Sequence, residues 1–254
     1  EAGTRHRTAE RVAVQTGRPV VVVSQGRAMV TVYTRRGKHE LRNPTALLEQ
    51  ANQNLLTLER FRWRLNEVEH RLTQLEVDDI VTCRDVVRVL QRAALVRHIA
   101  RDLEHYTIEL GGEGQLTRIQ LEDLIVGVQE IAEQVYVDYA RVYPPRPRQP
   151  LDLLESLSTE HLGDVSRVGS LLALGPLDAR VRPRGYRALN RVPRLPEAVK
   201  SSLVERFGDL QSLLHASVSD LDQVDGVGRA RAQQLRHYLD RLLEANRGWV
   251  AGEG

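Results

Sequence analysis

Cysteine occurs once, at Cys83, so no intrachain disulfide can form and the small disulfide-stapled scaffolds are excluded. No Cys/His spacing of zinc-binding type exists either, which removes structural zinc domains. Long apolar runs are also missing: none exceeds four residues, as at 20–23, against the roughly 20 that a membrane-spanning helix needs. Residues 1–10 are polar and charged with no apolar stretch, so nothing there reads as a secretory leader, and the expected compartment is reducing. Lysine is scarce, Lys38 and Lys200 being the only two among 36 basic residues. A GC-rich coding bias explains this more simply than selection for the arginine fork that grips phosphate. The first residue is Glu1, and a helix-and-strand pattern follows almost at once, which reads as a chain that begins inside a domain.

The 254 residues exceed what one compact core usually holds, pointing to two units, or three if some are small. The charge is uneven. Residues 1–47 carry nine basic and three acidic side chains, net +6; residues 48–143 carry 11 and 17, net −6; residues 144–254 carry 16 and 14, net +2. An acidic middle is poorly suited to tracking a nucleic-acid backbone, whereas either end can meet phosphates. The texture changes at the same places. A short helix over 6–16 and two strand-like runs, 20–24 and 28–34, joined by the turn Gln25-Gly26-Arg27, give residues 1–46 an α/β character. From Leu47 the apolar spacing becomes helical, after the start signal Asn43-Pro44-Thr45. It predicts a helix of some 30 residues, then helices over 83–105 and 117–141, the last capped by Thr117. Residues 47–143 therefore read as a helical bundle or stalk, with Phe61 and Trp63 as anchors of its long helix. A proline cluster, Pro144-Pro145-Arg146-Pro147, leads to short helices in 144–254.

One stretch of that last segment carries chemistry. Asp225-Gly226-Val227-Gly228-Arg229-Ala230-Arg231 places a Gly-apolar-Gly turn between two helices. Glycine reaches positive φ cheaply and, lacking a Cβ, lets a phosphate approach the backbone. The amides that open the next helix then point at that phosphate, Arg229 and Arg231 add charge, and Val227 serves as an apolar pin. An earlier unit has the same plan: a helix over 185–190, the turn Val192-Pro193-Arg194-Leu195-Pro196, and a helix over 197–207, with prolines in place of glycines. Six arginines and no acid fall within 180–194; with them, Arg191, Arg194 and Lys200 are candidate phosphate contacts. The pair resembles the helix-hairpin-helix family of sequence-independent DNA binders.

At the other end, Gly3-Thr4-Arg5-His6-Arg7-Thr8-Ala9-Glu10-Arg11 gathers arginines, a histidine and hydroxyls at the entry of a helix, where backbone amides, hydroxyls and guanidinium forks all donate to an anion. Ser24 closes the adjoining strand. Together with the helical middle and the hairpins, in the same order, this run resembles the family of the DNA integrity scanning protein DisA, bacterial diadenylate cyclases. The resemblance implies a multi-domain α+β chain, with part of an α/β cyclase domain in 1–46, a helical linker in 47–143 and a tandem helix-hairpin-helix domain in 144–254. It implies condensation of two ATP to cyclic di-AMP with loss of two pyrophosphates, in the presence of Mg²⁺ or Mn²⁺. It further implies a homo-octamer, suppression of synthesis by branched or junction DNA, and a cytoplasmic, nucleoid-associated protein with no membrane partner. Arg5, His6, Arg7 and Thr8 would contact ATP phosphates, with Thr4 and Ser24 lining the site. The family's Asp-Gly-Ala motif, which supplies the metal-binding aspartate, is absent from these residues, so no metal ligand is expected in this chain and the 254 residues alone are expected to be inactive. The competing reading is a non-enzymatic helix-hairpin-helix module for DNA junctions.

Overall fold

The computed structural model describes residues 4–24, 29–41, 43–140 and 150–250. Gly3, the expected turn at 25–27, Ala28 and the proline cluster at 144–147 lie outside the described residues. The chain divides into two compact units, Glu1–Glu59 with Ile99–Leu124, and Arg60–His98 with Ile125–Gly254.

In the first unit α1 (Thr4–Thr16) leads through residues 17–19 into an antiparallel sheet of β1 (Val20–Ser24), β2 (Met29–Thr34) and β3 (Gly37–Leu41), in that order. Ala9 and Ala13 lie on one face of α1 and are buried with Tyr33, against which Val20 and Val22 pack. Their small side chains let the helix approach the strands closely. The third strand is an addition to the expected pair. Lys38, His39 and Glu40 give it no apolar alternation, and it forms by pairing with the free edge of β2, Val32 opposite His39 and Thr34 opposite Gly37. A turn fixes that register: Thr34 accepts the Arg36 amide at 3.2 Å and donates to the Gly37 carbonyl at 3.1 Å.

The long helix α2 (Pro44–Val77) starts where the sequence signals it, Asn43 accepting the Thr45 amide at 2.9 Å. Its first turns bury Leu47, Ala51, Leu55 and Leu58 within the first unit, to which α3 (Cys83–Leu110) contributes Ala100 and Leu103. The single helix expected over 117–141 is instead two, α4 (Gln115–Ile125) and α5 (Val128–Tyr139). Gly127, at φ +75°, breaks it, and Thr117 is a buried residue inside α4 rather than its cap.

In the second unit α6 (Pro150–Leu154), α7 (Thr159–Gly163) and α8 (Val165–Leu172) lie beside α3 and α5. Gln91 of α3 donates to the Leu162 carbonyl at 2.6 Å, and Gly169 faces Val87. Five more helices follow: α9 (Tyr186–Asn190), α10 (Glu197–Phe207), α11 (Leu210–Leu214), α12 (Val218–Asp222) and α13 (Gly228–Val250). They share one core in which Leu189, Leu203, Leu221, Leu235 and Leu239 are fully enclosed. The two helix–turn–helix pairs, α9 with α10 and α12 with α13, fall where the sequence reading put them.

Candidate nucleotide and nucleic-acid interfaces

The N-terminal candidates occupy the first turns of α1. Thr4, Arg5, Arg7 and Thr8 are exposed, and His6 is half-buried. Helical spacing sets His6 on the face shared with Ala9 and Ala13, and there its Nδ1 lies 2.9 Å from the Tyr33 hydroxyl. His6 is thereby tied to the sheet. Arg7 is on the opposite side, with Arg11, Glu10 and Val14 along an open groove. Thr8 donates to the Thr4 carbonyl at 3.0 Å, one turn back. The short connection at 17–19 reverses the chain, so that Ser24 ends a strand returning along α1. In residues 4–41 the carboxylates are Glu10 and Glu40, the second paired with Lys38 at 2.8 Å. Among the described residues no three His, Cys, Asp or Glu side chains converge as a metal site. The groups present suit anions and do not fit a divalent cation by themselves.

At the C-terminal turn Gly226 and Gly228 take φ of +80° and +62°, and Val227 between them is buried in the shared core. The start of α13 is open, with Arg229 exposed. Arg231 donates to the Gly226 carbonyl, so it braces the turn. In the earlier turn Arg194 is exposed at φ +58°. That turn lines one groove together with α13, through Val192, Pro193, Arg194, Arg231, Gln234 and Tyr238.

Within the arginine run at 180–194, Arg184 and Arg187 are engaged inside the protein, whereas Arg180, Arg182, Arg191 and Arg194 stay exposed. Arg187 is only 4% exposed and reaches Glu76 at 2.6 Å and Glu69 at 2.5 Å. Burial opposes its charge, but the carboxylates of Glu76 and Glu69 outweigh burial and hold its pKa above the ordinary value. Tyr139 also donates to Glu76, at 2.7 Å. Arg184 donates to the carbonyls of Val137, Asp138 and Ala140 at the end of α5, and Arg182 pairs with Asp79 at 2.9 Å. Of the residues expected to meet DNA, Arg191 pairs with Glu69, and Lys200 with Glu197 and Asn190.

One element of this cluster was not anticipated at all. Asp138, fully buried, accepts the amides of Gly185 and Tyr186 on Oδ1 at 3.0 and 2.7 Å and that of Arg187 on Oδ2 at 2.9 Å, closing the N-terminus of α9 from a different helix. The long helix held a sequence signal for the cluster: Glu76 sits in an otherwise apolar buried stripe with Leu65 and Leu72.

Comparison with known proteins gives these features a context. Residues 1–38 match the nucleotide-binding region, and residues 41–178 the linker region, of the DisA bacterial checkpoint controller. The chain belongs to the DisA family. It is 48% identical over 254 residues to the DNA integrity scanning protein DisA of Kineococcus radiotolerans, covering 97% of this chain and 70% of that one. It is 44% identical to the protein of the same name from Acidothermus cellulolyticus, and 45% to that from Streptomyces coelicolor. In both cases 97% of this chain is covered, with 69% and 68% of the relatives. The family is that of the diadenylate cyclases, and the anion-suited start of α1 lies inside its nucleotide-binding match. The linker match ends at 178, beyond α6–α8 and short of α9.

Proposed function

We propose that the chain is part of a DNA-regulated diadenylate cyclase, its N-terminal unit gripping ATP phosphates and its C-terminal helices holding DNA. The observation that carries this reading is the start of α1, where Thr4, Arg5, Arg7 and Thr8 are exposed together within the nucleotide-binding match. Each ATP 3′-hydroxyl attacks the α-phosphorus of the other ATP; a phosphodiester bond forms, the hydroxyl proton passes to solvent, the bond to pyrophosphate breaks, and two such steps close the ring. Arg5, Arg7, Thr4 and the helix amides stabilise charge on the triphosphate and on the departing pyrophosphate. His6, fixed by Tyr33, holds α1 in register with the sheet, and Ser24 supplies a hydroxyl from the strand end. Mg²⁺ or Mn²⁺ would come with ATP and lower the charge on the phosphates. Two such sites face each other across subunits of a homo-octamer.

DNA in this reading is held at the turn into α13, where Gly226 and Gly228 admit a phosphate, Val227 pins the turn to the core and Arg229 attracts the phosphate, with Arg194 lining the shared groove. Junction DNA bound there suppresses synthesis in the cytoplasm, near the nucleoid. The test uses the complete protein that contains this chain. Arg5→Ala with Arg7→Ala should abolish cyclic di-AMP formation, followed by mass spectrometry, while DNA affinity stays nearly unchanged. Arg229→Ala should weaken binding on all DNA sequences alike. Full synthesis in the double variant would remove the site assignment. Binding of DNA by a complete protein that makes no product would favour the non-enzymatic junction module.

A further inference from the structure

We propose that α2 and α3 of the second unit carry a separate arginine ridge that binds the phosphate backbone of duplex DNA. The proposal takes its partner class from the DNA-binding reading above but stands on different residues. Phe61 is half-buried, and the guanidinium carbons of Arg64 and Arg92 lie 5.9 and 6.0 Å from its ring centroid. Trp63, the other expected anchor, is 60% exposed. Arg88 stands one turn from Arg92 on α3, and Arg92 is pulled below its ordinary pKa first by burial and then by the charges of Arg64 and Arg88. Three like charges thus converge, and none of them makes an ion pair with a described residue. Such a group is unfavourable without an anion to answer it.

Arg60, Arg64 and Arg71 follow on one face of α2 by helical spacing, and all three are exposed. Glu67 is the acid on that row, and Arg84, a turn before Arg88, is committed to Asp178 at 2.7 Å. The α2 row extends roughly 16 Å at about 1.5 Å per residue, room for several phosphates at about 3.4 Å of rise each. A row of guanidinium forks along one helix face suits a phosphate backbone. The acidic composition of the middle segment therefore conceals a basic face.

The test compares duplex binding by the 254-residue chain with that of Arg64→Gln/Arg88→Gln, by fluorescence anisotropy across a salt series on two unrelated sequences. Both replaced residues are exposed, so the melting curve should not move. Affinity should fall on both sequences, and the slope of log affinity against log salt should flatten by about 1.8, some 0.9 for each lost contact. Arg64→Lys/Arg88→Lys, which keeps the charge, should restore most of the slope. Arg229→Ala, measured in parallel, reports the turn independently. An unchanged slope in the Gln pair beside a weakened Arg229→Ala overturns the ridge and leaves the turn reading standing; the converse overturns only the turn. If the Gln pair loses binding of a polyglutamate peptide while holding duplex DNA normally, the ridge is a protein-docking surface and the proposal fails.

Discussion

Asp138 shows how much one side chain can organise when both its oxygens serve another element. Asp138→Asn keeps the shape but turns an acceptor toward backbone N–H groups into a donor, leaving a buried amide unmet. The expected loss is about 2 kcal/mol, measured by urea denaturation. The same residue sets a pH dependence. Burial first, and the Glu76 charge second, push its carboxyl up to about 7, against the amides of Arg187 and Tyr186 and the Arg187 guanidinium. A folded value above the unfolded one, about 4, means that the folded chain keeps a proton the unfolded chain has released. Stability from this group is therefore fully present below about pH 4, falls as pH climbs toward about 7, and is level above it. Asp138→Asn should lack that slope; an identical pH profile in the variant would assign the dependence to other groups. None of this was legible from local pattern, because Asp138 and the amides it accepts are far apart in sequence. The role of Arg187 was hidden for the same reason: an arginine within a run of like charge looks solvated until the carboxylates of another helix are brought to it.

At the scale of elements, the turn that holds Gly226 and Gly228 lies where the sequence put it, because glycines flanking a valine between two helices reach positive φ cheaply. The two glycines nonetheless differ. A Cβ at Gly226 would meet Val199 at 3.1 Å in addition to the strain of φ +80°, whereas Gly228, at φ +62°, faces open space. Gly228→Ala should therefore cost about 1 kcal/mol, from backbone strain alone, and Gly226→Ala distinctly more, compared by thermal melts. Equal costs would mean that Val199 gives way freely. Other elements were hidden. β3 lacks alternation because its pairing with β2 rests on a turn and on backbone hydrogen bonds, and the break between α4 and α5 rests on one glycine that a helical pattern tolerates.

For the whole molecule, the change from strand to helix texture after residue 41 was legible from period, and the division of labour between neighbouring helices was not. Cutting at 143, after the last residue before the prolines, removes the Leu162 carbonyl from Gln91 and the cover from Val87, whereas cutting at 178 keeps both. Residues 1–178 should melt at a higher temperature than residues 1–143 by circular dichroism, and coincident melts would show that α6–α8 add nothing to the second unit. Either cut also takes Arg187 from Glu69 and Glu76, a loss that buried carboxylates feel strongly. The junction between α5 and α9 has a mechanical meaning as well. Arg184 grips the carbonyls that end α5, and Asp138, from that same end, grips the amides that begin α9. Each helix terminus is sealed by the other's neighbourhood, which makes the pair a splice rather than a hinge. A splice cannot bend a little: rotating α9 against α5 breaks several charged hydrogen bonds together, so the two helices should move as one piece.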